Sequence, residues 1–483
     1  MKSIVEQIFD IGKRNPDKVA IITGKSCKTY GELVYETMAA KEVLSSKYKI
    51  GKGDRVILAA DKQIEFVSVY FACHLLEAVT LPIAPDTNAK RYELIKNKSM
   101  PKLVVGFKNS DDEKSVADFK DFVSGDLSTG RNDTSFPTLD SLADIIFTTG
   151  TTGEPKGVQL SHRNIMAAAR NINTFIQNNQ DDVEMLALPI SHSFGLGRMR
   201  CVLSNGQTLV LLGSFANVKR FFRFMGDYKV NGFGMVPASW ALLKKFSGDE
   251  IEKFKDQLRY IEIGSAPMPI EEKRYLIQAL PQTRICMHYG LTEASRSAFM
   301  EFHEEKDNLN TVGRQSPNMY ISIRDESGNE MPDGEEGEIC VSGDAVTMGY
   351  LDLPRNDAFW GDAFRTGDWG VKDSNGYISL RSRKKELINV GGKKVSPIEV
   401  EDILRNIDFI DDCVCVGASD PAGILGEVVK ALVVTEQPEK ITYEVIDPMI
   451  GSLLEGFKHP VMYAVIDEIP KTSSGKIQRL LLK

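Results

Sequence analysis

The sequence has few of the features that mark secreted, zinc-binding or nucleic-acid-binding proteins. Its seven cysteines are scattered and odd in number, which excludes a disulfide framework and zinc-ligand spacing. No basic block is long enough to suggest a nucleic-acid footprint, and a net charge of -8 makes nucleic acid an unexpected partner. The N-terminus lacks a signal-peptide core, and no apolar run reaches membrane-spanning length. We therefore expect reduced thiols, no membrane span and a cytoplasmic location.

The chain does have a regular alternation of apolar strands and helical patterns. Between about residues 30 and 290, runs such as RVILAA, TLVLLG and RICMHYG alternate with longer helical segments. This order is typical of helix-covered, mainly parallel sheets, which bind ligands at the carboxyl ends of their strands. The predicted fold class is therefore α/β.

The pattern changes twice in the second half. Residues 312–380 place short strands between turns such as DESGN and MPDGEEG, which predicts an antiparallel, barrel-like β subdomain within a large N-terminal domain, 1–384. Ser396, Pro397 and Glu399 predict a helix start with a capping box. With the strands DCVCVGA and VVKALVV that follow, residues 385–483 are predicted to form a small α+β domain. The polar segment 109–137 is interpreted as a solvated surface excursion without a function.

The stretch FTTGTTGEPKG, residues 147–157, has the composition of a phosphate-binding loop but not the Walker pattern. That pattern needs Gly-Lys-Ser/Thr, whereas Pro155 precedes Lys156 and Gly157 follows it. Glycines would let backbone N–H groups approach an anion, threonines would donate hydroxyls and the lysine would supply charge, although a flexible surface turn has the same composition. The candidate phosphate ligands are Thr148, Thr149, Gly150, Thr151, Thr152, Gly153 and Lys156.

The loop is followed by MHYGLTEAS, TGDWG, LINVGGKKVSPIEVE and PKTSSGKIQR. In this order the motifs resemble those of the adenylate-forming superfamily of acyl- and aryl-CoA synthetases, peptide-synthetase adenylation domains and luciferases. The resemblance covers nearly the whole chain. It implies a two-step reaction in which a carboxylate attacks the α-phosphorus of ATP, giving acyl-AMP and pyrophosphate, and a thiol then takes the acyl group. ATP, Mg²⁺ and either CoA or a carrier protein's phosphopantetheine are implied as cofactors.

The resemblance also implies roles for residues around the nucleotide. The Gly/Thr loop would hold the β- and γ-phosphates, which leave as pyrophosphate. Tyr289, between His288 and Gly290, would stack on adenine, Thr292 would reach the α-phosphate, and Glu293 would bind Mg²⁺. Thr149 is a second candidate metal ligand.

Two further groups complete the implied nucleotide site. The adenine-side loop is Gly264, Ser265, Ala266 and Pro267, where the family often has a second glycine at the position of Ser265. Asp368 would accept the ribose hydroxyls, and Arg383 would contact ribose and phosphate.

The small domain is implied to be mobile. Lys385 occupies the hinge position, although the family's Gly-Arg-x-Asp-Asp is replaced here by SRKKE, residues 382–386. Lys476 would stabilise charge between the carboxylate and the α-phosphate in the first step. After domain rotation, Gly391 and Gly392 would let a pantetheine arm approach.

The acyl pocket is the least defined part of the implied site. Amino-acid-adenylating domains place an Asp near His192, and no Asp occurs between Leu188 and Gly197. We therefore expect a non-amino carboxylic acid, fatty or aromatic. The pocket candidates are His192, Phe194, Gly195, Phe233, Met235 and Met300, with core packing as the alternative for each apolar side chain.

Three functions stay open at this point. An acyl- or aryl-CoA synthetase is favoured over a ligase that loads a separate carrier protein, and over a catalytically silent nucleotide-binding scaffold. We expect no carrier domain on this chain, because only seven residues follow Lys476. The sequence does not fix the acid, the thiol acceptor or the oligomeric state.

Overall fold

The structure, a computed structural model, describes residues 1–24, 26–60, 63–107, 115–116, 118–124, 135–149, 155–471 and 477–482. Contacts divide the chain into two units. The large unit comprises Met1–Ile321 and Val341–Phe364, and the small unit comprises Ser322–Cys340 and Arg365–Lys483.

Helices begin where short polar side chains cap them. Thr29 and Ser161 both form capping boxes, with Glu32 and Asn164 as the reciprocal partners. The α-helices of the described residues are α1 (Ile4–Arg14), α2 (Tyr30–Ser46), α3 (Ile64–Leu75), α4 (Ala89–Ser99), α5 (Lys120–Val123), α6 (His162–Ile176), α7 (Ser193–Ser204), α8 (Val218–Asp227), α9 (Pro237–Ser247), α10 (Ile270–Ala279), α11 (Arg355–Ala358), α12 (Pro397–Leu404) and α13 (Tyr443–Ile450).

The described strands include several that are buried at every residue, such as Val79–Ile83 and Gly232–Met235, and one, Arg314–Gln315, that is exposed at both residues. They are β1 (Val19–Ile22), β2 (Cys27–Thr29), β3 (Arg55–Ala59), β4 (Val79–Ile83), β5 (Leu103–Val105), β6 (Ser115–Val116), β7 (Leu142–Thr149), β8 (Pro155–Ser161), β9 (Val183–Leu186), β10 (Thr208–Leu211), β11 (Gly232–Met235), β12 (Tyr260–Ile263), β13 (Arg284–Tyr289), β14 (Ala298–Glu301), β15 (Arg314–Gln315), β16 (Met319–Arg324), β17 (Glu336–Gly343), β18 (Gly349–Tyr350), β19 (Phe359–Trp360), β20 (Ala363–Lys372), β21 (Ile378–Arg383), β22 (Ile388–Val390), β23 (Lys393–Val395), β24 (Asp412–Ser419), β25 (Glu427–Val434) and β26 (Met462–Val465).

Two mixed sheets build the large unit. One has nine strands in the order β15-β14-β13-β12-β11-β9-β10-β1-β2, and its middle six, β13 to β1, are parallel neighbours. The other has seven strands in the order β18-β8-β7-β4-β3-β5-β6, with β7 and β8 forming an antiparallel hairpin. The carboxyl ends of β12 and β13 therefore lie side by side and present the segments that follow them.

The remaining strands belong to residues 319–465. β16, β17, β20 and β19 follow one another in a five-stranded sheet, with β21 paired to β20. In the small unit, β24, β25 and β26 form a three-stranded sheet, and β22 and β23 form a hairpin. Residues of α12 and α13 share an apolar core with β24 and β25.

The predicted fold class is confirmed. The structure is α/β, with helix-covered, largely parallel sheets, a β-rich region in 312–380 and a separate C-terminal α+β region. No described helix is long and apolar enough to cross a membrane. All seven cysteines are free thiols, as predicted.

Two details differ from the sequence prediction. Segment 109–137 is not solvated throughout, because Phe119 and Phe122 of a short helical turn are buried in the core of the large unit. Ser396 caps α12 as expected, but Glu399 pairs with Lys458 at 2.8 Å rather than completing a capping box.

A buried polar network in the large unit connects β7 with α3, β4 and α7. The Asp144 carboxylate on β7 accepts hydrogen bonds from Tyr70 at 3.1 Å and from Thr80, contacts His74 Nε2 at 3.2 Å, and forms an ion pair with Arg200 of α7. Burial would raise the pKa of Asp144, but the charges of Arg200 and His74 outweigh it and hold the pKa well below its usual range. The carboxylate is therefore ionised and compensated inside the core.

We expect Arg200→Met to lower the free energy of unfolding by about 3–5 kcal/mol at pH 7, because it leaves the Asp144 charge buried without its partner. Urea unfolding measures the loss. Since the folded pKa of Asp144 lies below its unfolded value of about 3.9, this stabilisation is present above that pH and is lost as the pH falls further. The difference in the free energy of unfolding between wild type and Arg200→Met should therefore become smaller at acid pH.

Arg163→Met is the matched control for this prediction. Arg163 pairs with the exposed Asp140 through two contacts, of 2.7 and 3.1 Å. Because water screens this pair, its loss should change stability far less. Equal losses in the two variants would contradict the assigned role of Arg200.

Candidate functional site

The two ends of the Gly/Thr motif lie on the paired strands β7 and β8. Thr148 lies opposite Lys156, and Thr149 lies opposite Pro155. The predicted phosphate ligands Gly150, Thr151, Thr152 and Gly153 lie outside the described residues, as does the side chain of Thr149. The hairpin brings Thr148 and Lys156 together, in agreement with a shared role.

Tyr350 connects Lys156 with the predicted metal ligand. Its hydroxyl donates a 2.7 Å hydrogen bond to Glu293 Oε1, and the Lys156 ammonium lies 5.0 Å from the centre of its ring. Opposite charges from the hairpin and from the segment after β13 thus meet on one aromatic side chain. A cation predicted to bind phosphate and a carboxylate predicted to bind a metal, in this arrangement, suit a metal–polyphosphate ligand.

The segment after β13 is a tight turn. His288 and Tyr289 end the strand, and Leu291 and Ala294 exchange backbone hydrogen bonds of 3.0 and 3.3 Å. A Cβ at Gly290 would lie 2.5 Å from the backbone nitrogen of residue 296, so only glycine fits there.

The predicted α-phosphate ligand lies within this turn. The Thr292 hydroxyl is 3.1 Å from the hydroxyl of Ser193 at the start of α7. The turn thus presents Tyr289, Thr292 and Glu293 within one short segment, as the sequence predicted.

A buried charge cluster lies behind the turn. Glu262 of β12 contacts His288 Nδ1 at 2.7 Å, Arg296 Nε at 2.9 Å and Arg198 Nη1 at 3.2 Å, and Arg198 also pairs with Glu184. Burial would raise the pKa of Glu262, but Arg296, His288 and Arg198 outweigh it and hold the pKa well below its usual range. For His288, burial outweighs the carboxylate and lowers the pKa, so its imidazole is neutral at pH 7.

The predicted adenine-side loop follows β12 and contacts this cluster. A Cβ at Gly264 would lie 2.1 Å from His288 Cε1 and 2.2 Å from Nε2, so the imidazole occupies the space a side chain would need. Ser265 has φ +74°, a conformation that glycine adopts without strain. The left-handed backbone of Ser265 is therefore in keeping with the glycine that the family often has at this position. Ala266 and Pro267 complete the loop.

A small cavity lies beside Thr292. It has room for about one water molecule, roughly 20 Å³, and combines polar groups with small apolar ones. It is lined by Leu160, Asn164, Ile165, Ala168, Ala169, Ile172, Ser193, Gly197, Arg200, Thr292, Ser295 and Ala345.

The predicted acyl-pocket residues divide into two groups. Phe233, Met235 and Met300 are at most 1% exposed and belong to the core, which agrees with their alternative role in packing. Phe194 lies nearer the site, with its ring centre 4.7 Å from that of His288. The exposed His192 is the N-cap residue of α7.

Gly195, the last pocket candidate, lies in the first turn of α7. A Cβ at this position would lie 2.3 Å from the Pro189 carbonyl oxygen. The glycine therefore permits a close backbone contact, and its place in an acyl pocket stays a prediction.

In the small unit, the predicted ribose ligands form an ion pair. Asp368 and Arg383 are directly opposite on β20 and β21, with Oδ1 and Nε 2.9 Å apart. Arg383 also donates a hydrogen bond to the Thr366 carbonyl at 3.0 Å. Gly367, which lies between Thr366 and Asp368 in the sequence, has φ +72°. The sequence prediction that these two side chains act together is therefore compatible with their geometry.

The predicted hinge and thiol-approach residues lie on exposed turns of the small unit. Lys385 is exposed between β21 and β22. Gly391 and Gly392 form the two-residue turn between β22 and β23, with φ +58° and +86°, which requires residues at home in left-handed conformations. Lys476 lies outside the described residues.

The residues around Glu293 fit a magnesium ion shared with a ligand. Among the described residues, no group of three Asp, Glu, His or Cys side chains converges on a metal position. Mg²⁺ is typically held by one or two carboxylates together with substrate phosphates and water, so one carboxylate near Lys156 is an adequate protein contribution.

The comparison with known families shows which family the chain belongs to. Residues 8–351 match the family model described as AMP-binding enzyme, and residues 399–476 match the model described as AMP-binding enzyme C-terminal domain. The chain belongs to the AMP-binding enzyme family. This confirms the predicted membership of the adenylate-forming superfamily, and with it the prediction that the protein is an enzyme.

Curated relatives and solved structures agree with the family. The chain is 34% identical to the Arabidopsis thaliana protein 4-coumarate–CoA ligase-like 9, over 70% of this chain and 61% of that protein. It is 28% identical to the oxalate–CoA ligase of Arabidopsis thaliana, over 98% and 96%. ATP-bound MatB from Rhodopseudomonas palustris has a TM-score of 0.87, 24% identity and coverage of 99% and 98%, which supports the fold.

Sequence reasoning missed several residues of this AMP-binding enzyme. Glu262 lies in an apolar strand, YIEIG, where a lone acid signals a buried charge that needs partners. Arg296, with φ +51°, directly follows the motif HYGLTEAS and was the available partner. Tyr350 carries no signal in the sequence, because its role depends on strand pairing between distant segments.

We expect Gly264→Ala to lower the free energy of unfolding by about 1–3 kcal/mol, because the new methyl group would displace the buried His288 ring from Glu262. Gly226→Ala is the control, since a Cβ at Gly226 within α8 meets nothing within 4 Å. A helical glycine replaced by alanine should be neutral or stabilising. Urea unfolding of both proteins checks the prediction, which would be wrong if the two variants were equally stable.

Proposed function

We propose that this AMP-binding enzyme activates a carboxylic acid without an α-amino group to acyl-AMP, releases pyrophosphate, and transfers the acyl group to CoA. The observation that carries the proposal is the meeting of Lys156 and Glu293 on Tyr350 at the base of the Gly/Thr hairpin. Polyphosphate and metal can be bound there as one unit. The reaction belongs to the acid–thiol ligase class expected from the motifs.

In the first step, each of the predicted nucleotide ligands has one task. Thr148 and Lys156, with the Gly/Thr loop, bind the β- and γ-phosphates, and Thr292 contacts the α-phosphate. Tyr289 stacks on adenine against the Gly264–Pro267 segment, while Asp368 and Arg383 bind the ribose. Bound through Glu293, Mg²⁺ would neutralise phosphate charge and so favour carboxylate attack.

In the second step, we propose that the small domain, 385–483, turns about Lys385. Gly391 and Gly392 then present a backbone without Cβ atoms to the pantetheine arm. The exposed position of Lys385 supports this role, because a hinge residue must tolerate water in both conformations. Lys476 acts only in the first step.

The names of the relatives support an acceptor and a class of acid. The similar curated proteins are named as 4-coumarate–, oxalate–, long-chain and medium-chain fatty-acid–CoA ligases. These names support CoA as the acceptor over a carrier protein. Fatty and aromatic acids are the expected substrates, and a cytoplasmic location stays a prediction from the cysteine content.

An ATP–pyrophosphate exchange screen over fatty, aromatic, short dicarboxylic and amino acids tests the proposal. We expect exchange with a non-amino acid, followed by thioester formation with CoA. Preference for amino acids would contradict the interpretation of His192. If folded protein supported exchange with no acid, the silent-scaffold alternative would be favoured.

We expect Lys476→Ala to slow adenylation by about 100- to 1,000-fold, because it removes a charge that stabilises the transition state of the first step. Thioester formation from supplied acyl-AMP should stay near the wild-type rate, since Lys476 is not used in that step. Single-turnover measurements of the two half-reactions check this. Equal losses in both steps would show that Lys476 has no step-specific role.

A further inference from the structure

Tyr350 contacts both Lys156 and Glu293, and none of the sequence motifs named above includes it. It lies on the two-residue strand β18, at the edge of the seven-stranded sheet. Its position in the fold makes it a link between two predicted nucleotide ligands that are 137 residues apart in sequence.

The backbone around Tyr350 is hydrogen-bonded to β8, which carries Lys156, and to the turn after β13, which carries Glu293. On one side, Tyr350 lies opposite Val158 in the β18–β8 pair, and the next residue donates a 2.8 Å hydrogen bond to the Gly157 carbonyl. On the other side, the Thr347 amide donates to the Glu293 carbonyl at 2.7 Å. The short segment 347–351 therefore fixes the phenol ring relative to the hairpin and to the turn after β13.

The hydroxyl acts on Glu293. It donates to Oε1, and within the part of the chain that the structure describes, no protein partner is recorded for Oε2. Glu293 is nine-tenths buried, so its carboxylate cannot rely on water for its orientation. Hydrogen bonds of this kind orient metal ligands and hold one oxygen toward the ion.

The ring acts on Lys156. An ammonium about 5 Å from an aromatic centre is attracted to the ring face, within the range of a cation–π contact. Since Lys has a long, flexible stem, this contact limits where the ammonium lies before phosphate binds. The ring also contacts Phe364 edge-on, with centres 6.4 Å apart, which supports its orientation.

We propose that Tyr350 is a positioning residue for adenylation, which orients the Glu293 carboxylate toward the metal through its hydroxyl and the Lys156 ammonium toward the phosphates through its ring. This inference rests on the proposed function of both partners. It assigns one role to the hydroxyl and another to the ring, so two substitutions can test these roles separately.

The experiment uses Tyr350→Phe, which removes the hydroxyl alone, and Tyr350→Leu, which removes the ring as well. Mn²⁺ serves as the probe ion, and its dissociation constant is measured by electron paramagnetic resonance with saturating α,β-methylene-ATP. Half-saturating Mg²⁺ in ATP–pyrophosphate exchange is measured in parallel. Tyr35→Phe makes the same chemical change at a tyrosine that is 49% exposed on α2.

Tyr350→Phe should weaken Mn²⁺ binding and raise half-saturating Mg²⁺ by about 10- to 100-fold, with little change in affinity for the ATP analogue. Tyr350→Leu should in addition weaken binding of the ATP analogue by about two- to five-fold. Tyr35→Phe should match wild type throughout. Thioester formation from supplied acyl-AMP should be unchanged in all three variants.

A Mn²⁺ dissociation constant for Tyr350→Phe within two-fold of wild type would overturn the proposal. So would an equal slowing of thioester formation, because a purely structural defect affects both steps. Glu293→Gln marks the expected upper limit of the metal defect. The Mn²⁺ titration does not depend on the acid, so it stays decisive even if the exchange screen contradicts the proposed substrates.

Discussion

The candidate site depends on charge compensation around one buried carboxylate, Glu262. Three nitrogen-bearing side chains converge on it: Arg198 from α7, His288 from the end of β13 and Arg296 from beyond the metal-ligand turn. Removing either arginine would leave buried negative charge with less compensation, which costs far more than a surface ion pair contributes. The elements that carry Phe194, Thr292 and Glu293 are therefore held relative to one another by electrostatics as well as by the sheet and by backbone hydrogen bonds.

Much of the fold could be predicted because it follows from local patterns. The apolar runs RVILAA, TLVLLG and RICMHYG contain the strands β3, β10 and β13, each of which has parallel neighbours, and Ser396 caps the helix that it was expected to begin. Where the prediction was wrong, a long-range contact overrode local composition. Phe119 and Phe122 are buried inside a segment whose polar residues indicated solvent, because their ring faces complete a core formed by other parts of the chain. The average composition of the 29 residues 109–137 does not reveal that two phenylalanines in this segment are buried.

The site was predictable to the extent that its residues are contiguous in sequence. Thr292 and Glu293 share a motif, and Asp368 with Arg383 lies on neighbouring strands of one hairpin. The partners that orient them are not contiguous. Tyr350, which contacts Glu293, lies on β18, which pairs with β8, and Arg296, which contacts Glu262, has a backbone φ of +51°. Both depend on tertiary geometry, which neither residue type nor spacing encodes.

The hairpin position of the Gly/Thr motif explains why it departs from the Walker pattern. A Walker loop leads directly into a helix, whose N-terminal amides and dipole hold phosphate firmly. Here the motif joins two antiparallel strands, and α6 begins only at His162, after all of β8. No helix N-terminus directly follows β8's start, and Lys156 on β8 is the charged group that the strand pairing places opposite Thr148. The proposed function requires that phosphate binding be released in every cycle, because pyrophosphate leaves as a product. A predicted phosphate site without a helix N-terminus is consistent with that requirement.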